Sequence, residues 1–186
     1  MSHLGGAYEG GDTHTYTPDI WGWLLVEYDI RSVMDIGCGY GHNARWFLDM
    51  GCEAWGVEGD PDAIEKNVLP KDRIIVHDYT LGPYAPEGKI GLILATEFVE
   101  HVEQQYEQNW LATVKQGKHF LMCHAIPGQG GYHHVNEQHA EYWITRMWEA
   151  GFDYFSFTSE RFQKTCARKP APWGRNTLML FKNNND

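Results

Sequence analysis

Three glycines at one-residue intervals, Gly37, Gly39 and Gly41, follow a short apolar run that carries a carboxylate, Asp35, two residues before the first of them. Residues without a Cβ let the backbone pass close to a ligand, and a helix beginning just beyond presents unpaired N–H groups, so this loop is suited to holding a polar small molecule. A second set lies in the string Ala95-Thr96-Glu97-Phe98-Val99-Glu100-His101-Val102. On the first turn of a helix, positions 97, 100 and 101 project from one side. Two carboxylates and an imidazole there can bind a divalent cation or work as a general acid–base pair. Further imidazoles follow at His124, His133, His134 and His139, and His134 is the first choice for a fourth ligand.

These residues must be brought together by a frame, and the apolar pattern supplies one. Thr17-Pro18-Asp19 signals a helix start, with Thr17 as the capping hydroxyl and the helix running to about 28. A buried strand over 32–36 enters the glycine loop, and a helix over 42–50 is closed by Gly51. Strands then read at 52–57, ending at Glu58, at 73–77, ending at Asp78, and at 90–95, with a short helix over 61–67. Phe98, Val102, Tyr106, Trp110 and Val114 have the spacing of one helix over 98–114, ahead of a strand at 118–123. Asn136 reads as the cap of a helix reaching about 150, with Tyr142, Ile144 or Thr145, and Trp148 inward and Gly151 as its stop. Two last strands, 154–157 and 177–181, flank a loop containing Pro and Arg. Strands alternating with helices predict a doubly wound α/β sheet of about seven strands, mostly parallel. Ligands of such sheets sit beyond the carboxyl ends of the strands, so residues 35–41, 58, 78, 96–101 and 124–136 are expected to share one edge.

With 186 residues the chain is expected to be one domain over 17–182, with an irregular arm at 1–16 pinned by Tyr8 and Tyr16, and a frayed tail at 183–186. Hydrophobic residues make up 42% and charged residues 22%, which excludes disorder as the main state. Lys plus Arg number 15 against 25 for Asp plus Glu, and the resulting net charge of −10 disfavours binding to bulk nucleic acid. No apolar run approaches the roughly 18 residues of a membrane helix, and nothing resembles a secretory leader, so a cytoplasmic protein is expected. Cys38, Cys52, Cys123 and Cys166 are far apart and read as free thiols. Arg161, Lys164, Arg168, Lys169 and Arg175 form a cationic stretch that suits either a solvated loop or a basic lip for an anionic group of a ligand.

The segment Val33-Met34-Asp35-Ile36-Gly37-Cys38-Gly39-Tyr40-Gly41 resembles motif I of the class I S-adenosylmethionine-dependent methyltransferases. A dinucleotide fold wants its third glycine one residue later, where this chain has His42. The resemblance implies a Rossmann-like sheet with an antiparallel last strand and S-adenosylmethionine as cofactor, contacted by Asp35, Gly37, Gly39, Gly41, Glu58, Asp78 and Thr96. Glu58 would hold the ribose hydroxyls, since the two oxygens of a carboxylate accept in parallel. Asp78 would meet the adenine amino group, and Tyr79 would stack on the ring. The Glu97-x-x-Glu100-His101 string resembles the Glu-x-x-Glu-His element of ubiquinone-pathway O-methyltransferases and small-RNA 2'-O-methyltransferases. In those enzymes the element ligates magnesium beside the acceptor hydroxyl, together with a later histidine or glutamate. It implies a metal set of Glu97, Glu100, His101 and His134, with Glu100 and His101 catalytic and His101 able to take the acceptor's proton. Residues 133–144 resemble a segment of methyltransferases linked to sugar and surface-glycan modification. The expected function is therefore methyl transfer to an oxygen of a small molecule or sugar. The alternatives are an NAD-dependent oxidoreductase and a catalytically silent cofactor-binding partner subunit.

Overall fold

The computed structural model describes residues 3–4, 10, 15–168 and 177–185. Seven strands form one sheet in the order β3-β2-β1-β4-β5-β7-β6: β1 (Ser32–Ile36), β2 (Glu53–Glu58), β3 (Ile74–Val76), β4 (Ile90–Ala95), β5 (Gly117–Met122), β6 (Phe152–Tyr154) and β7 (Met179–Asn183). The pairings among the first five strands are all parallel, and β7 runs antiparallel to both β5 and β6. The chain is thus a Rossmann-like doubly wound sheet, with α1 (Pro18–Glu27), α2 (His42–Asp49), α3 (Pro61–Glu65), α4 (Glu107–Val114), α5 (Ala140–Glu149) and α6 (Ser156–Cys166) joining and covering the strands. Central strands buried on both faces need apolar residues in continuous runs, and β4 shows it. Ile93 and Ala95 face Trp110, Phe120 and Trp143, while Leu92 and Leu94 face Ile20, Trp21, Phe47 and Phe162.

Several expectations change. The helix predicted over 98–114 is broken into 3-10 turns at Val99–His101 and Gln104–Tyr106, with α4 beginning only at Glu107. Glu97 has φ 51°. The carbonyl of Glu100 accepts the N–H groups of Val135 and Asn136 at 2.9 and 3.1 Å in place of a helical amide, so tertiary pairing overrides the apolar period there. Thr17 precedes α1 but does not cap it; its hydroxyl donates to the carbonyl of Thr15. Asn136 does not cap α5 either. The helix starts at Ala140, and the Asn136 side chain is spent on Glu107, at 2.9 Å. The inward residues of α5 are Trp143 and Met147, with Tyr142 and Ile144 packed at the margin and Trp148 exposed.

The strand predicted at 154–157 lies earlier, as β6, and the reading of 158–176 as a loop missed α6, which buries Ser159, Phe162 and Cys166 on one face. Arg161 lies over the Trp23 ring at 5.0 Å, and Lys164 pairs with Glu160 on the same helix. Lys169 and Arg175 lie outside the described residues, as does Tyr8. Asn183 belongs to β7 and not to a tail: it is buried, and its amide donates to the carbonyls of Lys115 and Gly117. Tyr16 packs edge-on against Trp21 with centroids 5.0 Å apart. All four cysteines are free thiols, and among the described residues no helix is long and apolar enough to cross a membrane.

Candidate active site

Beyond Ile36 the chain turns sharply, with the amides of Gly37 and Cys38 both donating to the carbonyl of Val57 at 2.9 and 3.1 Å. Gly37 has φ 66°, and a Cβ there would collide with the ring of Phe98. Gly41, at φ 80°, opens α2 with the Asn67 amide pressed against it. Both positions therefore require glycine for conformation and for space. The loop forms one wall of a cavity of about 320 Å³ that also takes in Glu58, Asp78, Thr96, Glu97, His101 and His134. The sheet edge thus gathers nearly all the residues singled out by sequence.

Asp35 lines the floor of this cavity, 1% exposed, and its Oδ2 has no hydrogen-bond partner. Burial, reinforced by the charge of Glu58, pushes its pKa up to about 8. Glu58 is held by backbone: Oε2 accepts from Gly39 N at 2.7 Å, and Oε1 from Gly59 N and Asp60 N at 2.8 Å each. Burial raises its pKa, while those three amides oppose the rise. Burial would also raise Asp78, but donors from His3 and Thr80 hold its carboxyl below the usual range. The His3 contact is 2.8 Å. Thr96 accepts from the amide of buried Asn43 at 3.2 Å. Tyr79 lines the cavity but is itself buried, with its hydroxyl 2.8 Å from Thr113 and its ring edge-on to Phe98. Sequence reasoning missed Phe98 and Asn43 as parts of this wall. An apolar residue and an amide just past a strand or a glycine carry no local signal of such a role. Five carboxylates line the cavity, Asp35, Glu58, Asp60, Asp78 and Glu97, and among the described residues no Lys or Arg does. Such a lining favours a ligand that carries positive charge.

At the other end, the Glu97, Glu100 and His101 side chains do not share one helical face. Glu97 lines the cavity, and its carboxylate accepts from the thiol of Cys123 at 3.1 Å while its own N–H donates to the same sulfur. Glu100 is fully buried behind the wall, and neither carboxylate oxygen has a partner. Burial pushes its pKa well above the usual range, with the charges of Glu97 and Glu137 adding to the effect. His101 faces the cavity with Nδ1 unpartnered, and burial, aided by His134 and His133, brings its pKa down to about 4. His134 meets it edge-on, centroids 5.0 Å apart. Ligand atoms of Glu100, His101 and His134 all lie within 4.8 Å of one another, a group that does not include Glu97. Of the other imidazoles, His124 is buried with Nδ1 on the carbonyl of Ala125, and His139 precedes α5. A buried carboxylate with no donor is costly in isolation, and two adjoining imidazoles make a donor set that suits a divalent cation.

Residues 29–156 match the methyltransferase domain family. The chain belongs to that family. The hydride-transfer alternative is accordingly set aside. Among solved structures, the magnesium protoporphyrin IX methyltransferase ChlM from Synechocystis PCC 6803 with bound SAM is 14% identical at a TM-score of 0.60, covering 89% of this chain and 77% of its own. The glycopeptide N-methyltransferase MtfA complexed with SAM is also 14% identical at 0.60, covering 88% and 91%. The methyltransferase domain of bacterial CtHen1 is 14% identical at 0.57, covering 88% and 96%. At these identities the methyltransferase shares a fold with each of them. No curated protein matches the chain.

Proposed function

We propose that this methyltransferase uses S-adenosylmethionine and transfers the methyl group to an oxygen of a small molecule or sugar. The observation that carries the cofactor assignment is the buried, unpartnered Oδ2 of Asp35 at the floor of a cavity lined by carboxylates. A ligand with an ammonium and a sulfonium satisfies that oxygen and suits the lining, whereas a dinucleotide pyrophosphate would bring like charge to it. In this reading Glu58 turns its remaining lone pairs to the ribose diol, and Asp78 accepts from the adenine amino group once His3 yields it. The amides of the glycine loop and Thr96 line the methionine portion. The solved ChlM and MtfA structures with SAM bound on the same fold support the assignment.

The bound cofactor supplies an electrophilic methyl carbon. The chain's own contribution is to align the acceptor and exclude water from the sulfonium. Glu100, His101 and His134 are the residues that would hold a divalent cation, and a cation there would acidify and orient an acceptor hydroxyl. That chemistry favours oxygen as the methylated atom. His101, kept neutral by burial, presents its lone pair to such a cation or to the acceptor's proton. Glu97, tied to Cys123, forms part of the same cavity wall. The deciding experiment is calorimetric titration of the purified chain with S-adenosylhomocysteine, with NADH as control. Micromolar binding of the first alone is expected. Binding of NADH, or of neither, overturns the reading. An acceptor screen with phenols and sugars, with and without magnesium or manganese, then tests the oxygen assignment.

A further inference from the structure

Glu137 is absent from the cavity lining, yet its carboxylate gathers three donors from the loop that forms the acceptor side. Oε2 accepts from Gly128 N at 2.7 Å, Oε1 from Gly130 N at 2.6 Å, and Oε1 also lies 3.3 Å from His134 Nδ1. An ionised carboxylate only accepts, so Nδ1 of His134 is the donor and the lone pair sits on Nε2. Gly131 backs directly onto that ring: a Cβ at Gly131 would collide with Nε2. The loop's far end is also fastened. Val135 N and Asn136 N bind the carbonyl of Glu100, and the Asn136 side chain binds buried Glu107. Between these anchors, Gln129, Gly130, Gly131, Tyr132 and His134 form the cavity wall. One carboxylate therefore sets the tautomer of a candidate cation ligand and the path of the loop that meets the acceptor.

We infer that Glu137 is a positioning residue that couples cation binding at Glu100, His101 and His134 to the ordering of the 126–137 loop over the acceptor. The inference rests on the cation reading above. A cation held by the lone pair of His134 would polarise the imidazole, strengthen the Nδ1–H bond to Glu137, and so tighten the carboxylate's hold on Gly128 and Gly130. In the opposite direction, an ordered loop presents His134 in the tautomer that a cation needs. No other described carboxylate is placed within hydrogen-bond distance of the His134 ring.

The test uses the full chain and two metal-binding readouts beside one that needs no metal. Nitrogen-15 imidazole NMR of the metal-free protein should show His134 as the Nδ1–H tautomer, and Glu137→Ala should lose that preference. Manganese binding, followed by the electron paramagnetic resonance of the free ion, should weaken by about tenfold to a hundredfold in Glu137→Ala, the range typical of losing a carboxylate behind a ligating histidine. Manganese should slow amide exchange of the 128–131 segment in the wild type and not in the variant. Unchanged S-adenosylhomocysteine affinity confirms that the variant is folded. If it is not, Glu137→Gln, which keeps the volume and one acceptor oxygen, should give intermediate losses. Equal manganese affinity in wild type and variant, or loop exchange indifferent to manganese in a wild type that binds it, overturns the coupling and leaves the cation reading intact. A wild type that binds no manganese overturns both.

Discussion

Asp35→Asn isolates the charge at the cavity floor without changing its shape. Burial and the neighbouring Glu58 push the Asp35 pKa from 3.8 up to about 8, so at pH 7 about nine in ten ligand-free molecules hold it protonated. An ammonium or sulfonium group bound against Oδ2 requires the ionised form, and its binding should therefore expel about 0.9 proton at pH 7. Ionising the group at that pH costs about 1.4 kcal/mol, which the ligand must supply, and affinity should rise about ninefold from pH 6 to 7 and about fivefold from 7 to 8 before levelling off. In Asp35→Asn the released proton and the pH slope should both vanish, and affinity at pH 8 should fall by about 1.5–3 kcal/mol, the worth of a charge-assisted hydrogen bond. The stability of the free protein carries the opposite sign. Because the unfolded chain ionises Asp35 near its ordinary value while the folded chain does not until about 8, Asp35 lowers stability progressively as pH rises through that window. The asparagine variant should flatten this decline. The assay is calorimetry of S-adenosylhomocysteine in buffers of differing ionisation enthalpy at pH 6, 7 and 8. Proton release near zero in the wild type at pH 7, or an unchanged slope in the variant, would refute the reasoning.

Glu58→Ala should weaken cofactor binding by about 1–3 kcal/mol, because the ribose loses its acceptor and the amides of Gly39, Gly59 and Asp60 lose theirs; unchanged calorimetric affinity would remove Glu58 from the ribose. Glu107→Ala should destabilise the fold by about 3–5 kcal/mol in urea unfolding, since it strands the partly buried Arg146 guanidinium together with Asn136 and Tyr142. A loss under 1 kcal/mol would show that water replaces the carboxylate without cost. Excess chelator should abolish turnover while S-adenosylhomocysteine affinity is retained, and turnover that persists would leave His101 acting without a cation.

The residues that meet at the cavity were legible where local chemistry alone determines conformation. Gly37 and Gly41 adopt positive φ, which side chains disfavour, and β4 is read from a continuous apolar run that only a sheet covered on both faces can bury. Because chain order and right-handed crossovers then constrain the topology, Asp35, Glu58, Asp78 and Thr96 were bound to arrive at one edge. What could not be read were choices made between distant segments. The apolar period from Phe98 to Val114 is helical in the sequence, yet the Glu100 carbonyl pairs with Val135 and Asn136, and the helix waits until Glu107. Asn136 has the chemistry of a helix cap, yet its Nδ2 donates to the carboxylate of Glu107, remote in sequence, and its Oδ1 accepts from the Gln138 side chain in place of a helix amide. Cys123 draws Glu97 away from the Glu100, His101 and His134 group, and Glu137 joins His134 to Gly128 and Gly130. The sequence by itself determined the sheet, the glycine loop and the edge at which chemistry gathers, since periodicity and backbone sterics act over a few residues. Which carboxylate faces which donor was left to the tertiary structure, because desolvation and long-range hydrogen bonding are defined only once the chain has closed around them.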